Sequence, residues 1–565
     1  IDNEEELASF LHPDVSQLHD PMLLKGMPEA VERIRRAIDR GRRIRIYGDY
    51  DADGVSSTAL MVQLFRSLNA RFDYYIPDRF KEGYGLNTDA IDQAVREGID
   101  LIVTVDNGIS AAEPIAHAGR LGLDIIVTDH HEPPEILPDA PALINPKQAD
   151  CPYPFKHLAG VGVAFKLAQA LLGRVPEELA EFAALGTVAD MMPLIGENRV
   201  LVALGLARMR NSAYPGVRAL LRSAGIDARE VTAAHIGFAL GPRINASGRL
   251  KHASQAVECL IADQLPAAER LAAEMDRLNR ERQALVESLT AEALTQLAEE
   301  SAMNDEVLVA AGVGWNVGVV GIVAARLTET YGRPSVVLSI DADSGMAKGS
   351  ARSVPGFDLH AALTECAECL EHYGGHQAAA GMTLKRELIP EFRRKLCELA
   401  RERIDPDYVP EVAVDLVCPP EEATLALIAD LERLAPFGAG NEAPRILFPS
   451  LSIREMRVMG KERQHLKLVV SGDGEHAQAL DALLFKRGEL VSEISETSRV
   501  ELLGELSVNE WNGRRKPQII VQDLQVAEMQ VFDWRGGSPD ERLSAWLKRS
   551  GGRNRAAVVF AAEHK

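Results

Sequence analysis

Cysteine, cationic charge and long apolar runs are all in short supply. Six Cys in 565 residues, without regular spacing, exclude a disulfide framework and fit a reducing compartment. Cys366 and Cys369 form a CxxC, but no second pair follows. Residues 359–370 have the spacing of an amphipathic helix, so packing is the expected role of both thiols. No apolar run approaches the roughly 18 residues of a membrane span, and no charged-then-apolar signal opens the chain. A cytoplasmic protein without membrane contact is expected. The absence of an initiator Met suggests a trimmed piece of a longer chain. Lys and Arg number 62 against 83 Asp and Glu, a net charge of −21, which excludes non-specific coating of duplex nucleic acid. Any nucleic-acid surface must be a confined basic track.

What is present is ordinary globular composition, 46% hydrophobic and 26% charged, in a chain too long for one core. About 100–200 residues per domain predicts three or four domains. From about residue 40 to 200, strand-like runs alternate with helical patterns, as in a doubly wound parallel sheet, after a helical lead-in over 1–40. One of these runs carries the chemistry. Residues 44–54 are an apolar strand that runs out into Asp49, Asp51 and Asp53. If the segment stays extended the three carboxylates face one side, where they repel one another unless a divalent cation sits among them; the alternative is a solvated acidic loop.

Two later strands end in the same way. Residues 101–108 finish in Asp106-Asn-Gly108 and residues 125–131 in Asp129-His-His131. Ligands in open parallel sheets bind outside the carboxyl ends of the strands, so these ends should converge on one crevice. Asp190 follows a further small apolar run, residues 185–189. Such Asp clusters with one or two His and no thiolate suit Mn²⁺, Mg²⁺ or Fe²⁺ rather than structural Zn²⁺.

With these motifs in hand, the chain resembles the DHH phosphoesterase superfamily and, within it, the RecJ single-strand DNA exonucleases. Gly48-Asp-Tyr-Asp-Ala-Asp-Gly54, Val105-Asp-Asn-Gly108, Asp129-His-His131 and Ala189-Asp190 match the first four motifs in order. The match continues through Gly241-Pro-Arg-Ile-Asn-Ala-Ser-Gly-Arg-Leu250. It resumes at Lys348-Gly-Ser-Ala-Arg-Ser353 and Gly374-Gly-His-Gln-Ala-Ala-Ala-Gly381, which look like the associated DHHA1 domain. The resemblance implies an α/β protein: a DHH parallel-sheet domain over 1–262 with its lead-in, a connecting helix over 263–302 and a DHHA1 α/β domain over 303–402. An OB-fold-like barrel over 409–528 and the start of a truncated C-terminal domain over 529–565 complete it.

The resemblance also implies the activity: metal-dependent 5′-to-3′ hydrolysis of single-stranded DNA to 5′-mononucleotides, in DNA repair and recombination. Two ions, Mn²⁺ or Mg²⁺, are implied, one held by Asp49, Asp51 and Asp106, the other by Asp53, Asp106, His130 and Asp190. Asp106 bridges them and His131 orients the scissile phosphate. Single-stranded DNA is the implied partner, with a single-strand-binding protein and a helicase as candidate protein partners. Two rivals stay open: a DHH phosphodiesterase of short oligonucleotides or cyclic dinucleotides, and a non-catalytic single-strand-binding replication factor.

The remaining residues give narrower expectations. Arg79, in a Gly- and charge-rich loop, is either solvated or a phosphate clamp. Arg243 and Arg249 flank Asn245-Ala-Ser-Gly248, read as a small-residue turn that either packs or lets backbone approach a ligand. Residues 265–300 predict one helix of roughly 50 Å bridging two domains. Its apolar-free middle, residues 279–283, is expected to cross solvent, with Arg277, Arg280 and Arg282 on a solvated face or facing nucleic acid. Asn316 stands where related families often carry His. Lys348, Ser350, Arg352, Ser353 and His376 offer donors suited to phosphate; Ser350, Arg352 and His376, with Arg79 and Arg249, are the candidate substrate-phosphate contacts. Beyond a linker at 403–410, strand-like runs at 412–417, 451–458, 465–470, 478–485, 499–506 and 518–526 predict a small barrel. Its Phe485 and Trp511, with Arg457, Lys461, Arg463, Lys486, Arg487, Arg514, Arg515 and Lys516, are expected to line one single-strand groove. A helix at 541–548 and a strand at 556–562 close the chain.

Overall fold

Short strands of three to five residues, rich in Ile, Val and Leu at their buried positions, make the first sheet. Its strands are β1 (Arg43–Tyr47), β2 (Arg71–Tyr75), β3 (Leu101–Thr104), β4 (Asp124–Thr128) and β5 (Ala142–Ile144), all parallel in the order β2-β1-β3-β4-β5. β1, β3 and β4 are buried on nearly every residue, the signature of strands covered by helices on both faces. One face packs on α1 (Ala52–Ser67), α2 (Gly160–Leu172) and α3 (Ala180–Ala189) through Val55, Ala59, Phe65, Phe165 and Phe182, all 0% exposed. Each of the Val and Phe side chains contributes about 1.5–3 kcal/mol by leaving water.

The computed structural model describes residues 3–83, 85–405, 411–473 and 478–526. It divides into two compact units, one made of residues 1–410 with 436–441 and the other of the remainder. The expected C-terminal helix and strand, and most of the expected linker, lie outside the described residues.

Inside the first unit, α4 (Gly241–Leu250) precedes the long α5 (Leu265–Glu299), whose 35 residues span roughly 52 Å at 1.5 Å per residue. In the middle of α5, Arg280, Glu281 and Gln283 are exposed as expected and Arg282 is half-buried, but Asn279 is only 4% exposed; α4 packs along this helix. Arg277 and Arg280 do lie on its outer face, each paired with acids of the same helix, Glu274 and Glu281 or Asp276. The second sheet is mixed, β6 (Leu308–Val313), β7 (Ser335–Ile340), β8 (Met346–Arg352), β10 (Ala379–Lys385) and β9 (His372–Gly375) in that order, with β6 and β7 parallel and the rest antiparallel. Helix α6 (Val317–Tyr331) crosses from β6 to β7. Asn316 is its N-cap, accepting from the Gly318 N–H at 2.8 Å, a role that needs a short side-chain acceptor. Cys366 and Cys369 are both buried, in a helix end and a 3₁₀ turn rather than one continuous helix.

The second unit is a six-stranded sheet, β11 (Leu416–Val417), β12 (Ile446–Met459), β13 (His465–Ser471), β14 (Ala479–Leu484), β16 (Arg514–Val526) and β15 (Arg499–Trp511), closed by pairing of β12 with β15. Closure removes the free edges, so this is a barrel. The strand expected over 412–417 is only two residues long, and β15 and β16 run on into a hairpin whose tip bears Trp511.

Candidate metal centre

Because β1, β3 and β4 are neighbours in one parallel sheet, the segments leaving their carboxyl ends emerge side by side. The three acids after β1 are not on one extended strand. Asp49 lies in the loop; Asp51 caps α1, its Oδ1 accepting from the N–H groups of Asp53 and Gly54 at 3.0 Å each; and Asp53 sits in the first helical turn. The bend splits them. Asp49 and Asp51 gather with Asp106, while Asp53 gathers with His130 and Asp190, and a third grouping joins Asp106, His130 and His131. Within each group the ligand atoms lie within 4.8 Å of one another.

Asp106 reaches this position in a left-handed conformation, φ 63°, which costs a non-glycine residue about 1–2 kcal/mol. Buried Asn107 holds the turn: its Nδ2 donates to the Val105 carbonyl at 2.9 Å, and its own carbonyl accepts from Thr104 Oγ1 at 2.7 Å. His130 Nε2 lies 3.1 Å from Asp106 Oδ1, 3.6 Å from Asp190 Oδ2 and 3.8 Å from Asp53 Oδ2. Asp190 is not at a strand end; it terminates α3. Asp129, the first residue of the Asp-His-His, is a buried anchor. Its Oδ1 accepts from the His130 N–H and faces His131 Nδ1, both at 2.7 Å, and its Oδ2 accepts from the Ile109 N–H at 2.9 Å.

The electrostatics follow from burial. Burial first, then the charge of neighbouring carboxylates, raises the proton affinity of Asp49, Asp53 and Asp106, and pushes Asp190 up to about 7. Burial, followed by the charge of His131, lowers His130 to about 3, leaving a neutral imidazole, the form that ligates metal. Burial works against ionisation of Asp129, but hydrogen bonds and charge from His131 outweigh it. Reciprocally, His131 overcomes its burial through Asp129 and rises to about 9.

This donor set fits divalent cations. Among the described residues, no Lys or Arg lies within ion-pair distance of Asp49, Asp51, Asp53 or Asp190, and the buried Asp49 Oδ1 has no hydrogen-bond partner. Carboxylates so packed without cationic side chains are electrostatically incomplete, and oxygen-rich sites with one imidazole suit Mn²⁺ or Mg²⁺.

Two supports for this centre carried no signal in the acidic motifs. The N-terminus of α2 points at Asp53, with the Gly160 N–H donating to Oδ2 at 2.7 Å and the Val161 N–H to Oδ1 at 2.9 Å, so a helix end stabilises that carboxylate. Asn245 Oδ1 accepts from the Ala52 N–H at 2.9 Å. Asn245 lies within helix α4, not in the expected turn, and Gly248 lies so close to Tyr50 that a Cβ there would sit 2.4 Å from the Tyr50 carbonyl oxygen.

A second constellation lies beyond the C-terminal end of α4. Burial and then the charges of Arg79, Arg282 and Arg352 lower Arg249 to about 10, so these guanidiniums are near enough for their charges to repel. Arg352 donates to Ser350 Oγ at 2.8 Å, a Cβ on Gly321 would lie 3.1 Å from Ser350 Oγ and 3.2 Å from Arg352 Nη2, and Arg249 donates to the Gly318 carbonyl at 2.9 Å. Arg79 stacks on Tyr50, 4.7 Å from its ring centre. Among the described residues none of Arg79, Arg249, Arg282 and Arg352 is paired with a carboxylate, as expected where an anion binds. His376 is exposed in the turn after β9, its N–H donating to the carbonyl of Ala379, which pairs with Arg352 across the sheet. Arg243 is not part of this group, being paired with Asp276 at 2.9 Å, and Ser353 is occupied by the Phe357 carbonyl at 2.6 Å. Arg282 is the member whose position the sequence left undecided.

In the barrel the residues expected to line one single-strand groove are spread along the strands. Asp481 pairs with Gln518 in the parallel β14–β16 ladder, so Phe485 stands level with residue 522, whereas Trp511 pairs with Arg514. The two aromatics are roughly 25 Å apart along the strands at about 3.3 Å per residue. Phe485 packs beside His465, ring centres 5.4 Å apart, near the β12–β13 turn with Lys461 and Arg463; Trp511, 75% exposed, shares the hairpin tip with Arg514 and Arg515.

Comparison with known proteins agrees with this organisation. Residues 43–187 match the DHH family, N-terminal domain; residues 304–402 the DHHA1 domain; and residues 414–523 the RecJ OB domain. The single-stranded-DNA-specific exonuclease RecJ of Bacillus subtilis (strain 168) is 46% identical over 537 residues, covering 95% of this chain and 68% of that protein. Its counterpart in Escherichia coli (strain K12) is 39% identical, covering 89% of this chain and 90% of its own length. The crystal structure of RecJ in complex with Mn²⁺ from Thermus thermophilus superposes with a TM-score of 0.79 at 33% identity, covering 92% of this chain and 74% of that one. With three domain matches in order and relatives this similar along most of both chains, the protein belongs to the RecJ family of single-stranded-DNA-specific exonucleases.

Proposed function

We propose that this chain is a metal-dependent exonuclease that removes 5′-mononucleotides from the 5′ end of single-stranded DNA. The observation that carries the reading is the sharing of one buried carboxylate, Asp106, between two groups of potential ligands, Asp49 with Asp51 and His130 with His131, while His130 also belongs with Asp53 and Asp190. In this reading Asp49, Asp51 and Asp106 hold one ion, and Asp53, Asp106, His130 and Asp190 the other. The ions are Mn²⁺ or Mg²⁺; relatives have been solved with each. A pair of divalent cations supplies Lewis acidity and charge neutralisation for in-line displacement at phosphorus. His131, fixed by Asp129, orients the scissile phosphate.

Arg79, Arg249, Ser350 and Arg352, with His376 at the edge, hold the terminal 5′ phosphate. A terminal phosphate carries more charge and more free oxygens than an internal one, and guanidiniums read those oxygens bidentately. The barrel guides the long strand. We assign 1–262, 303–402 and 409–528 to catalytic, phosphate-recognising and strand-guiding domains, and place the work in cytoplasmic DNA repair and recombination beside a single-strand-binding protein and a helicase. Among the described residues no helix is long and apolar enough to cross a membrane.

The test is digestion of a long single strand labelled along its length, with Mn²⁺, with Mg²⁺ and with chelator. Release of mononucleotides beginning at the 5′ end, dependent on either ion and reduced to about a tenth or less in Asp106→Ala, is the expected result. Cleavage of dinucleotides alone would move the assignment to the short-substrate phosphodiesterases, and an Asp106→Ala variant with near-normal rates would remove the shared-ligand assignment.

A further inference from the structure

Two large apolar side chains stand in water beside Asp190, a proposed ligand that is only partly buried. Asp190 has 29% of its side chain exposed where Asp53, Asp106 and His130 have 1–6%, so the centre opens on its side. The next residue, Met191, is 77% exposed and held left-handed at φ 56°, a conformation a long side chain adopts only at a cost. Against the same end of α3 lies the segment Ile236–Leu240, a π-helical turn anchored by buried Ile236 and Leu240. A Cβ on Gly237 would lie 3.7 Å from Val188 Cγ1, and one on Gly241 would lie 3.1 Å from Ala189 Cβ, so the turn abuts the two residues that precede Asp190. Between those glycines Phe238 is turned outward and 88% exposed. π-helical turns are rare and concentrate at functional sites, and an aromatic ring left in water forgoes its burial energy.

Helix α4 fixes where this ring lies relative to the rest of the site. It starts immediately after the π-helical turn. Near its middle Asn245 touches Ala52, between Asp51 and Asp53, and near its end Arg249 enters the arginine cluster. Phe238 and Arg249 are therefore at opposite ends of one rigid rod, roughly 16 Å apart at 1.5 Å per residue, with the acidic centre alongside. We propose that Phe238, with Met191, is a stacking platform for a nucleobase on the 3′ side of the scissile bond. This rests on the proposed function, which puts the terminal 5′ phosphate at Arg249 and the scissile phosphate at the acids; a strand threaded that way next meets Phe238. A ring face beside a flexible thioether accepts any base without reading its edge, which suits an enzyme that must advance along every sequence.

The experiment combines Phe238→Ala and Phe238→Trp with strands carrying a single abasic nucleotide at successive positions from the 5′ end. On the natural strand Phe238→Ala should lower kcat/KM about tenfold while Phe238→Trp stays near wild type. One abasic position, 3′ of the first scissile bond, should slow the wild-type protein by a similar factor and leave Phe238→Ala no slower than it already is. The same non-additivity is expected in equilibrium binding with chelator present. Because the ring is exposed, its removal should leave the melting temperature unchanged. Slowing of Phe238→Ala by every abasic substitution as much as wild type, a Phe238→Ala variant that digests the natural strand at the wild-type rate, or a coupled position on the 5′ side would each overturn the platform while wild-type digestion of single strands still stood. Wild-type protein that digests no single strand would instead overturn the proposed function.

Discussion

Gly160 lies so close to Asp106 that a Cβ at position 160 would come within 2.5 Å of its Oδ1 and 2.6 Å of its Cβ. The same residue donates its N–H to Asp53. Only a residue without a side chain lets the N-terminus of α2 touch both carboxylates. Gly160→Ala should push Asp106 out of place, since both its backbone-proximal and terminal atoms are in the way, and a displacement of about 1 Å at such a centre costs about a hundredfold in rate. Steady-state digestion with saturating Mn²⁺ checks this; a variant within a factor of about three of wild type would mean that Asp106 position is not rate-determining.

Polarity should depend on the arginine cluster. Arg352→Lys keeps the charge but loses the bond to Ser350 and the planar fork that the proposed phosphate contact requires. It should slow digestion of 5′-phosphorylated strands by about tenfold or more, with little effect on 5′-hydroxyl strands. Parallel rates on both substrates decide it, and equal slowing would place end recognition elsewhere.

Glu181, 1% exposed in α3, accepts from Ser212 Oγ at 2.5 Å, and burial raises it from 4.5 to about 7. Between about pH 4.5 and 7 the unfolded chain ionises this carboxyl while the folded protein keeps it protonated. Its contribution to stability therefore falls as pH rises through that window, by up to about 3 kcal/mol, and stays lost above it. Glu181→Gln should be more stable than wild type by about 1–3 kcal/mol at pH 8 and no more stable at pH 4.5. Denaturant titrations at the two pH values, with and without metal, measure the difference; a variant equally destabilised at both would show that the carboxyl is ionised throughout.

The two ends of the barrel should act independently. Replacing Phe485 and Lys486 with Ala should weaken binding to long single strands and reduce the salt slope by about 0.7 for each phosphate left without its cation. Trp511→Ala, roughly 25 Å away by strand register, should add its own effect without coupling, because residues more than about 10 Å apart with no shared partner are additive. Affinities of the single and combined variants across a salt series test it, and strong non-additivity would show that the two ends act as one groove.

Strand-terminal acids and the Asp-His-His are local features, and a parallel sheet follows from short apolar runs separated by helical repeats; the residues of the candidate metal centre were therefore legible in the sequence itself. So was the length of α5, because an uninterrupted helical period needs no partner to be read. The division of the ligands, which the family resemblance implied, was not legible in their own spacing. Asp49, Asp51 and Asp53 alternate along the chain, yet a helix cap at Asp51 turns the backbone between them, and which group each joins depends on β3, β4 and α3 arriving from residues 106, 130 and 190. The same reason hides Gly160 among small residues and Arg282 among the solvent-facing arginines of α5: each acquires its role from a partner more than 30 residues away. In the barrel, cations and aromatics close in sequence were separated by strand register, which sets distances that composition does not contain. Side-chain chemistry is a property of the chain, but the convergence of like charges is a property of tertiary structure, because only folding supplies the energy that holds them together.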